Sequence, residues 1–121
     1  MTGQVEFGDV GEMVAFSTDK PRRCDIARSA QIMSQFACFE PGQDGVLHHH
    51  PAQDEVFFVI EGKGSFTAGD REIPVAQGSY IFVPAGVERR ARANAGSRLV
   101  IMFTKCTSAV ARAAAASAEP G

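Results

Sequence analysis

Three consecutive histidines, His48, His49 and His50, are the only histidines in the chain, and a carboxylate, Glu55, follows shortly after them. Side chains alternate faces along an extended strand, so His48 and His50 point the same way and His49 points the other. A strand opening at Glu55 after a short turn returns its carboxylate to the same interior. Two imidazoles and one carboxylate form the set that suits non-haem Fe(II) with open coordination positions. The same set serves catalytic zinc with water as the fourth ligand, and it also accepts Mn, Ni or Cu. The metal ligands read from the sequence are therefore His48, His50 and Glu55. His49, on the opposite face, is assigned an outward structural role. Asp54 is a second carboxylate nearby, but the apolar strand that begins at Glu55 favours Glu55. No other imidazole can complete the set within one chain. Gln35, Cys38, Tyr80 and Cys106 remain as fourth donors, and no spacing argument selects one of them, so water and substrate are expected in the remaining positions.

These residues must be positioned by short strands. Gly and Pro punctuate runs rich in Val, Ile and Phe through most of the chain. Strands are expected over Gln31 to Glu40, Gly45 to His50, Glu55 to Glu61, Lys63 to Thr67, Arg71 to Val75, Gly78 to Val83, Val87 to Ala93 and Ser97 to Thr104. Ala68-Gly69-Asp70 reads as a hairpin turn. Closely spaced short strands separated by turn signals indicate an all-β sandwich or barrel. Residues 1–30 lack clear periodicity and are expected to hold one or two edge strands or a dimer arm. Residues 31–106 form the barrel. Residues 107–121 are an alanine-rich tail with high helix propensity, expected as a short docked helix or a frayed end.

The spacing around the histidines is specific. Gly42 is followed by five residues, then His48-His49-His50, four residues, Glu55, six residues and Gly62. Further on, Gly78 is followed by SYIFV, Pro84, Ala85, Gly86, Val87, Glu88 and Arg89. The two segments resemble the paired motifs of the cupin superfamily in order and separation. The resemblance implies an antiparallel β-barrel or jelly roll. It also implies a metal held by the first motif and, together with the unpaired edges that small barrels expose, a homodimer. The family includes dioxygenases, isomerases, epimerases and decarboxylases, so the fold fixes no reaction.

One position departs from the pattern. Arg89 stands where the family has a histidine ligand, and the family's following asparagine would fall at Ala93, one place before Asn94. A guanidinium has no lone pair to donate, so Arg89 is not a ligand. Pointing inward, it offers a planar fork to an anionic substrate or pairs with Glu55 in a site that has lost its metal. Pointing outward, it joins Arg90 and Arg92 in solvent. Arg89, Tyr80 and Phe57 are the substrate-binding residues expected, and no residue is singled out as catalytic.

Composition bounds the rest. The 121 residues fit one domain, and the net charge of −2 gives no footprint for a nucleic-acid partner. The cysteines Cys24, Cys38 and Cys106 are odd in number and widely spaced, which argues for free thiols in a reducing compartment. The polar, acidic start is not a signal peptide, and no apolar run approaches the length of a membrane span, so the expected location is the cytoplasm. Three readings compete: a metal enzyme acting on a small organic substrate by dioxygenase- or isomerase-like chemistry, a non-catalytic small-ligand or metal-binding module, and a metal-free isomerase using His50 or Tyr80.

Overall fold

The computed structural model describes residues 3–117. Seven strands among them carry the fold: β1 (Arg22–Arg28), β2 (Ile32–Phe39), β3 (Glu55–Ala68), β4 (Arg71–Ala76), β5 (Tyr80–Val83), β6 (Arg89–Ala93) and β7 (Leu99–Cys106). A short helix α1 (Val10–Met13) precedes them and α2 (Ser108–Ser117) follows. These strands pair antiparallel throughout. This is the all-β jelly roll expected, although its strands do not close into a ring: β1 stays an outer edge beside β2.

The long strand β3 organises the site. Its first half, Glu55–Phe58, lies between β5 and β7, and its second half, Gly64–Ala68, lies between β4 and β6. The sequence reading placed a strand end at Gly62. Instead the strand runs through and passes from one sheet to the other at that point, with a register shift between Val59 and Glu61. Gly62 makes this possible because it adopts φ +89°, and a Cβ there would stand 1.7 Å from the Arg98 carbonyl oxygen. Only a residue without a side chain takes this backbone conformation so close to a neighbouring chain.

Alternation along the strands separates two apolar clusters. Phe39, Phe57, Val59, Phe66, Val83, Leu99, Ile101 and Phe103 pack in the interior between the two sheets. Phe36, Cys38 and Val100 point the opposite way and are covered by Met13, Val14 and Phe16 of the N-terminal segment. Of the one or two edge strands expected in residues 1–30, the described part contains one, β1. Its exposed Asp25 and Arg28 put charge along the open edge, which discourages pairing with another chain.

The segment Gly45–His50 corrects another expectation. It is not a strand: it meets β6 through an isolated bridge from His48 to Arg89 and a hydrogen bond from Gly45 N to Ala91 O at 2.8 Å, next to a second isolated bridge from Asp44 to Arg92. Two backbone hydrogen bonds still fix His48 opposite Arg89, His48 N to Arg89 O at 3.1 Å and Arg89 N to His48 O at 2.8 Å. The tail forms the expected helix, α2, as far as Ser117, and the rest of the tail, residues 118–121, lies outside the described residues. Among the described residues no helix is long and apolar enough to cross a membrane.

Candidate metal centre

The interior holds a cavity of about 680 Å³ whose wall includes His48, His50, Glu55, Phe57, Arg89 and Lys105. Backbone hydrogen bonds of His48 to Arg89 and of Gly86 to His50 fix the histidine segment, and strand parity places Glu55, Phe57, Arg89 and Lys105. His48 and His50 face the cavity, while His49 between them is exposed. Glu55 opens β3 opposite Val83 of β5 and Lys105 of β7, so its carboxylate lies inside and is 3% exposed. Asp54 takes no part: it is exposed, and its Oδ1 accepts the Ala85 N–H at 2.9 Å, which ties down the turn before β6.

One donor atom from each of His48, His50 and Glu55 lies within 4.8 Å of the others. Two donors at about 2.1 Å from one ion can stand no more than about 4.2 Å apart. His50 Nε2 and Glu55 Oε1, at 3.8 Å, already satisfy this limit. Side-chain rotation of roughly half an ångström brings the rest of the set within reach. The protonation pattern also suits a cation. His48 Nδ1 donates to the Val46 carbonyl at 2.7 Å, which leaves the Nε2 lone pair free. His50 Nε2 accepts from the Lys105 ammonium at 3.3 Å, so an ion bound at this nitrogen would have to displace the ammonium. Burial, then the nearby charges of Lys105, His48, Arg89 and Arg23, holds the His50 imidazole down to about 4 from its usual 6.5, so it is neutral near pH 7. The donor set therefore fits a divalent ion with three protein ligands.

Arg89 lies fully inside, 1% exposed, and of the three orientations considered it takes the pairing with Glu55. Its Nη1 donates to Glu55 Oε1 at 2.9 Å. Its other donors are also engaged: Nε reaches the Val87 carbonyl at 3.2 Å, and Nη2 reaches those of Val87 at 2.9 Å and Pro84 at 3.2 Å. The guanidinium is thus locked by the turn that delivers it and is spent on protein partners. Arg92 also does not stay free in solvent, because it forms a two-point pair with Asp44 at 2.6 and 2.8 Å. Arg90 lines the cavity.

Phe57 lies on the cavity wall. Tyr80 does not: it is 72% exposed, outside the cavity, paired across strands with Phe58. The reason is parity within β5, where Ile81 and Val83 take the inner face and Tyr80 and Phe82 the outer. The same separation excludes Tyr80, Gln35, Cys38 and Cys106 as fourth donors, since none of them lines the cavity. Burial pushes the Cys38 thiol up to about 11, so it is protonated as well as misplaced. Two residues that the sequence reading did not assign to the site, Lys105 and Arg23, also face the cavity. Counting by twos from Ile101 along β7 would have found Lys105.

The comparisons with known proteins agree with this architecture. The cupin domain family model matches residues 35–104, more than half of the chain. A protein of Streptomyces coelicolor, "Uncharacterized protein SCO3923", is 49% identical over 39 residues, 32% of this chain and 37% of that protein. The chain therefore spans little more than a third of that curated relative. The crystal structure of TT1209 from Thermus thermophilus superposes with a TM-score of 0.80 at 22% identity, covering 84% of this chain and 97% of that one. An RmlC-like cupin from Desulfovibrio desulfuricans gives 0.77 at 22% identity, covering 85% and 97%. A protein with a double-stranded β-helix domain from Klebsiella pneumoniae gives 0.79 at 18%, covering 85% and 90%. At these identities the structural likeness speaks for the fold alone, and with the family match over residues 35–104 it is sufficient: the chain belongs to the cupin family.

Proposed function

We propose that this cupin binds one divalent metal ion through His48, His50 and Glu55 and acts on a small organic molecule inside the barrel, by dioxygenase- or isomerase-like chemistry. The observation that carries the proposal is the convergence of the three donors within 4.8 Å on the wall of a cavity large enough for a small substrate. Fe, Mn, Zn and Ni all suit the donors. Such an ion supplies Lewis-acid polarisation of a bound oxygen atom. The chain's own contributions are more specific. Val46 fixes the His48 tautomer, Arg89 orients the Glu55 carboxylate, and Phe57, Phe66 and Phe103 keep the floor of the site apolar.

A second reading, a non-catalytic binding module, draws support from the 2.9 Å contact between Arg89 and Glu55, which commits the carboxylate to a fixed cation before any metal arrives. Metal analysis of protein purified without a histidine tag separates the two. The enzyme reading expects one equivalent per chain, lost in the double variant His48→Ala, His50→Ala with the β-rich circular dichroism unchanged. Unaltered stoichiometry in that variant would end the metal assignment. Oxygen-uptake and turnover screening against small enols, phenols and keto acids then distinguishes catalysis from storage. A homodimer is part of the proposal. It is supported by Phe58, Tyr80 and Phe82, which stand 42%, 72% and 57% exposed on adjacent strands of one outer face. Light scattering that gives a monomer at tens of micromolar would remove it.

A further inference from the structure

The cavity wall carries more positive charge than its own acids balance. Six basic side chains line it, Lys20, Arg22, Arg23, Arg89, Arg90 and Lys105, against two carboxylates, Asp44 and Glu55. Both carboxylates are already committed, Glu55 to Arg89 at 2.9 Å and Asp44 to Arg92 at 2.6 Å. Lys105 and Arg23 are in the opposite condition: neither has a carboxylate partner among the described residues. The Lys105 ammonium's hydrogen-bond contact is to the His50 ring, at 3.3 Å. The Arg23 guanidinium lies over the Phe103 ring, 5.6 Å from its centroid. Phe103 and Lys105 share one face of β7, and the Arg23 and Lys105 charges repel each other across the cavity wall. Half-burying a lysine whose facing carboxylate, Glu55, is already hydrogen-bonded to Arg89 is costly. A site that keeps one beside an arginine, above the phenylalanine floor, is built to receive the missing negative charge from a ligand.

We infer that Lys105 and Arg23 form an anion-binding subsite for the carboxylate of a small organic acid whose apolar body lies against Phe57, Phe66 and Phe103. Anion recognition thus belongs to β7 and the open edge strand β1, since Arg89 is spent on Glu55. The inference deepens the proposed function and rests on its reading of the cavity as a small-molecule site. It does not need the metal, because the subsite is assembled from residues outside the donor set. Lys105 and Arg23 are specificity residues, and they select acid over neutral analogue.

Calorimetric titration of chelator-treated protein at pH 7 tests this with a panel of matched pairs: benzoate and benzamide, phenylacetate and phenylacetamide, 3-phenylpropionate and its amide, hexanoate and its amide. At least one acid should bind at least about tenfold more tightly than its amide, the worth of one charge-assisted hydrogen bond. Lys105→Met should remove most of that preference while leaving the amide's affinity in place. Arg23→Gln, a change at an exposed position that leaves the core untouched, should reduce the preference in the same direction. Equal binding of acid and amide, no binding by any acid of the panel, or a preference that survives both substitutions would overturn the inference. Metal content measured on the same preparations keeps the two proposals apart. Acid binding to the chelator-treated protein upholds the subsite whether or not a metal equivalent was present before treatment, and a metal equivalent before treatment with no acid binding overturns the subsite while leaving the metal reading in place.

Discussion

The buried pair between Arg89 and Glu55 allows a quantitative test of how this site is held. The two side chains are 1% and 2% exposed, with Nη1 and Oε1 2.9 Å apart. Arg89→Met keeps most of the volume but removes the charge and the contacts to Val87, Pro84 and Glu55. The Glu55 carboxylate is left buried with His50, at 3.8 Å, as its nearest ring partner. Breaking one side of a buried ion pair costs about 3–5 kcal/mol. A domain of this size has only about 5–15 kcal/mol in total, so the single variant should be folded with a narrow margin. Glu55→Leu strands the guanidinium and should cost a similar amount, about 3–5 kcal/mol. The double variant removes both charges together, so its cost should fall short of the two single costs combined by at least ~2 kcal/mol. Urea unfolding with chelator at pH 7 is the assay. It is best followed by far-ultraviolet circular dichroism, since the chain has no Trp and one Tyr. Additive costs, or an Arg89→Met loss below about 1 kcal/mol, a value ordinary for exposed pairs, would refute the reasoning.

Three further outcomes are expected. The folded His50 imidazole sits at about 4 against its ordinary 6.5, so between these values the unfolded chain binds the extra proton. Stability of the metal-free protein should therefore be full above about pH 6.5 and decline as pH falls toward 4, by at most ~3 kcal/mol, and His50→Gln should flatten this slope in urea titrations run across the window. Gly62→Ala forces a Cβ to within 1.7 Å of the Arg98 carbonyl at φ +89°, and it should lower the unfolding free energy by at least ~2 kcal/mol, whereas Ala at Gly3, with open space around it, should leave the urea midpoint unchanged. Arg89→His replaces a side chain without a lone pair by a third imidazole, the fourth donor of the set, so metal affinity measured by competition with a chromophoric chelator should rise at least about tenfold, and an unchanged affinity would mean that position 89 cannot reach the ion.

How much of this was legible in the sequence depends on how far each feature lies from local rules. The parity of His48 and His50 follows from alternation, and the preference for Glu55 over Asp54 follows from the apolar strand that opens there; both are local facts, and the geometry places these residues accordingly. Tyr80 shows where alternation runs out. In Tyr80-Ile81-Phe82-Val83 every position is apolar or aromatic, so composition cannot say which pair faces in, and cross-strand packing assigned the interior to Ile81 and Val83. Gly62 misled because a glycine after an apolar run marks a strand end as readily as a bend between sheets. Distinguishing the two needs the neighbouring strand, here the Arg98 carbonyl. Lys105 was within reach of alternation from Ile101, but its place on one wall with Arg23 was not. Their meeting depends on the registers of β1 on β2 and β2 on β7, three separated segments that no single stretch of sequence encodes.

The substitution at position 89 and the unmatched cations at positions 23 and 105 are related through charge. A histidine at position 89 would add a neutral donor. Arg89 instead neutralises Glu55, so the set His48, His50 and Glu55 with its locked partner carries no net charge when both imidazoles are neutral. A divalent ion placed there would bring its two charges into a wall already positive through Lys105 and Arg23. Such an ion would be held weakly by the protein alone, because every cation nearby opposes it in a half-buried setting where screening is incomplete. An organic carboxylate reverses the balance, since it offsets the ammonium and guanidinium and leaves the ion facing an anion. Binding free energies are reciprocal, so the acid should tighten the metal by the same factor by which the metal tightens the acid. On the proposed reading, Arg89 in place of a fourth ligand would leave a three-ligand centre that holds its ion more tightly once an acidic ligand has bound.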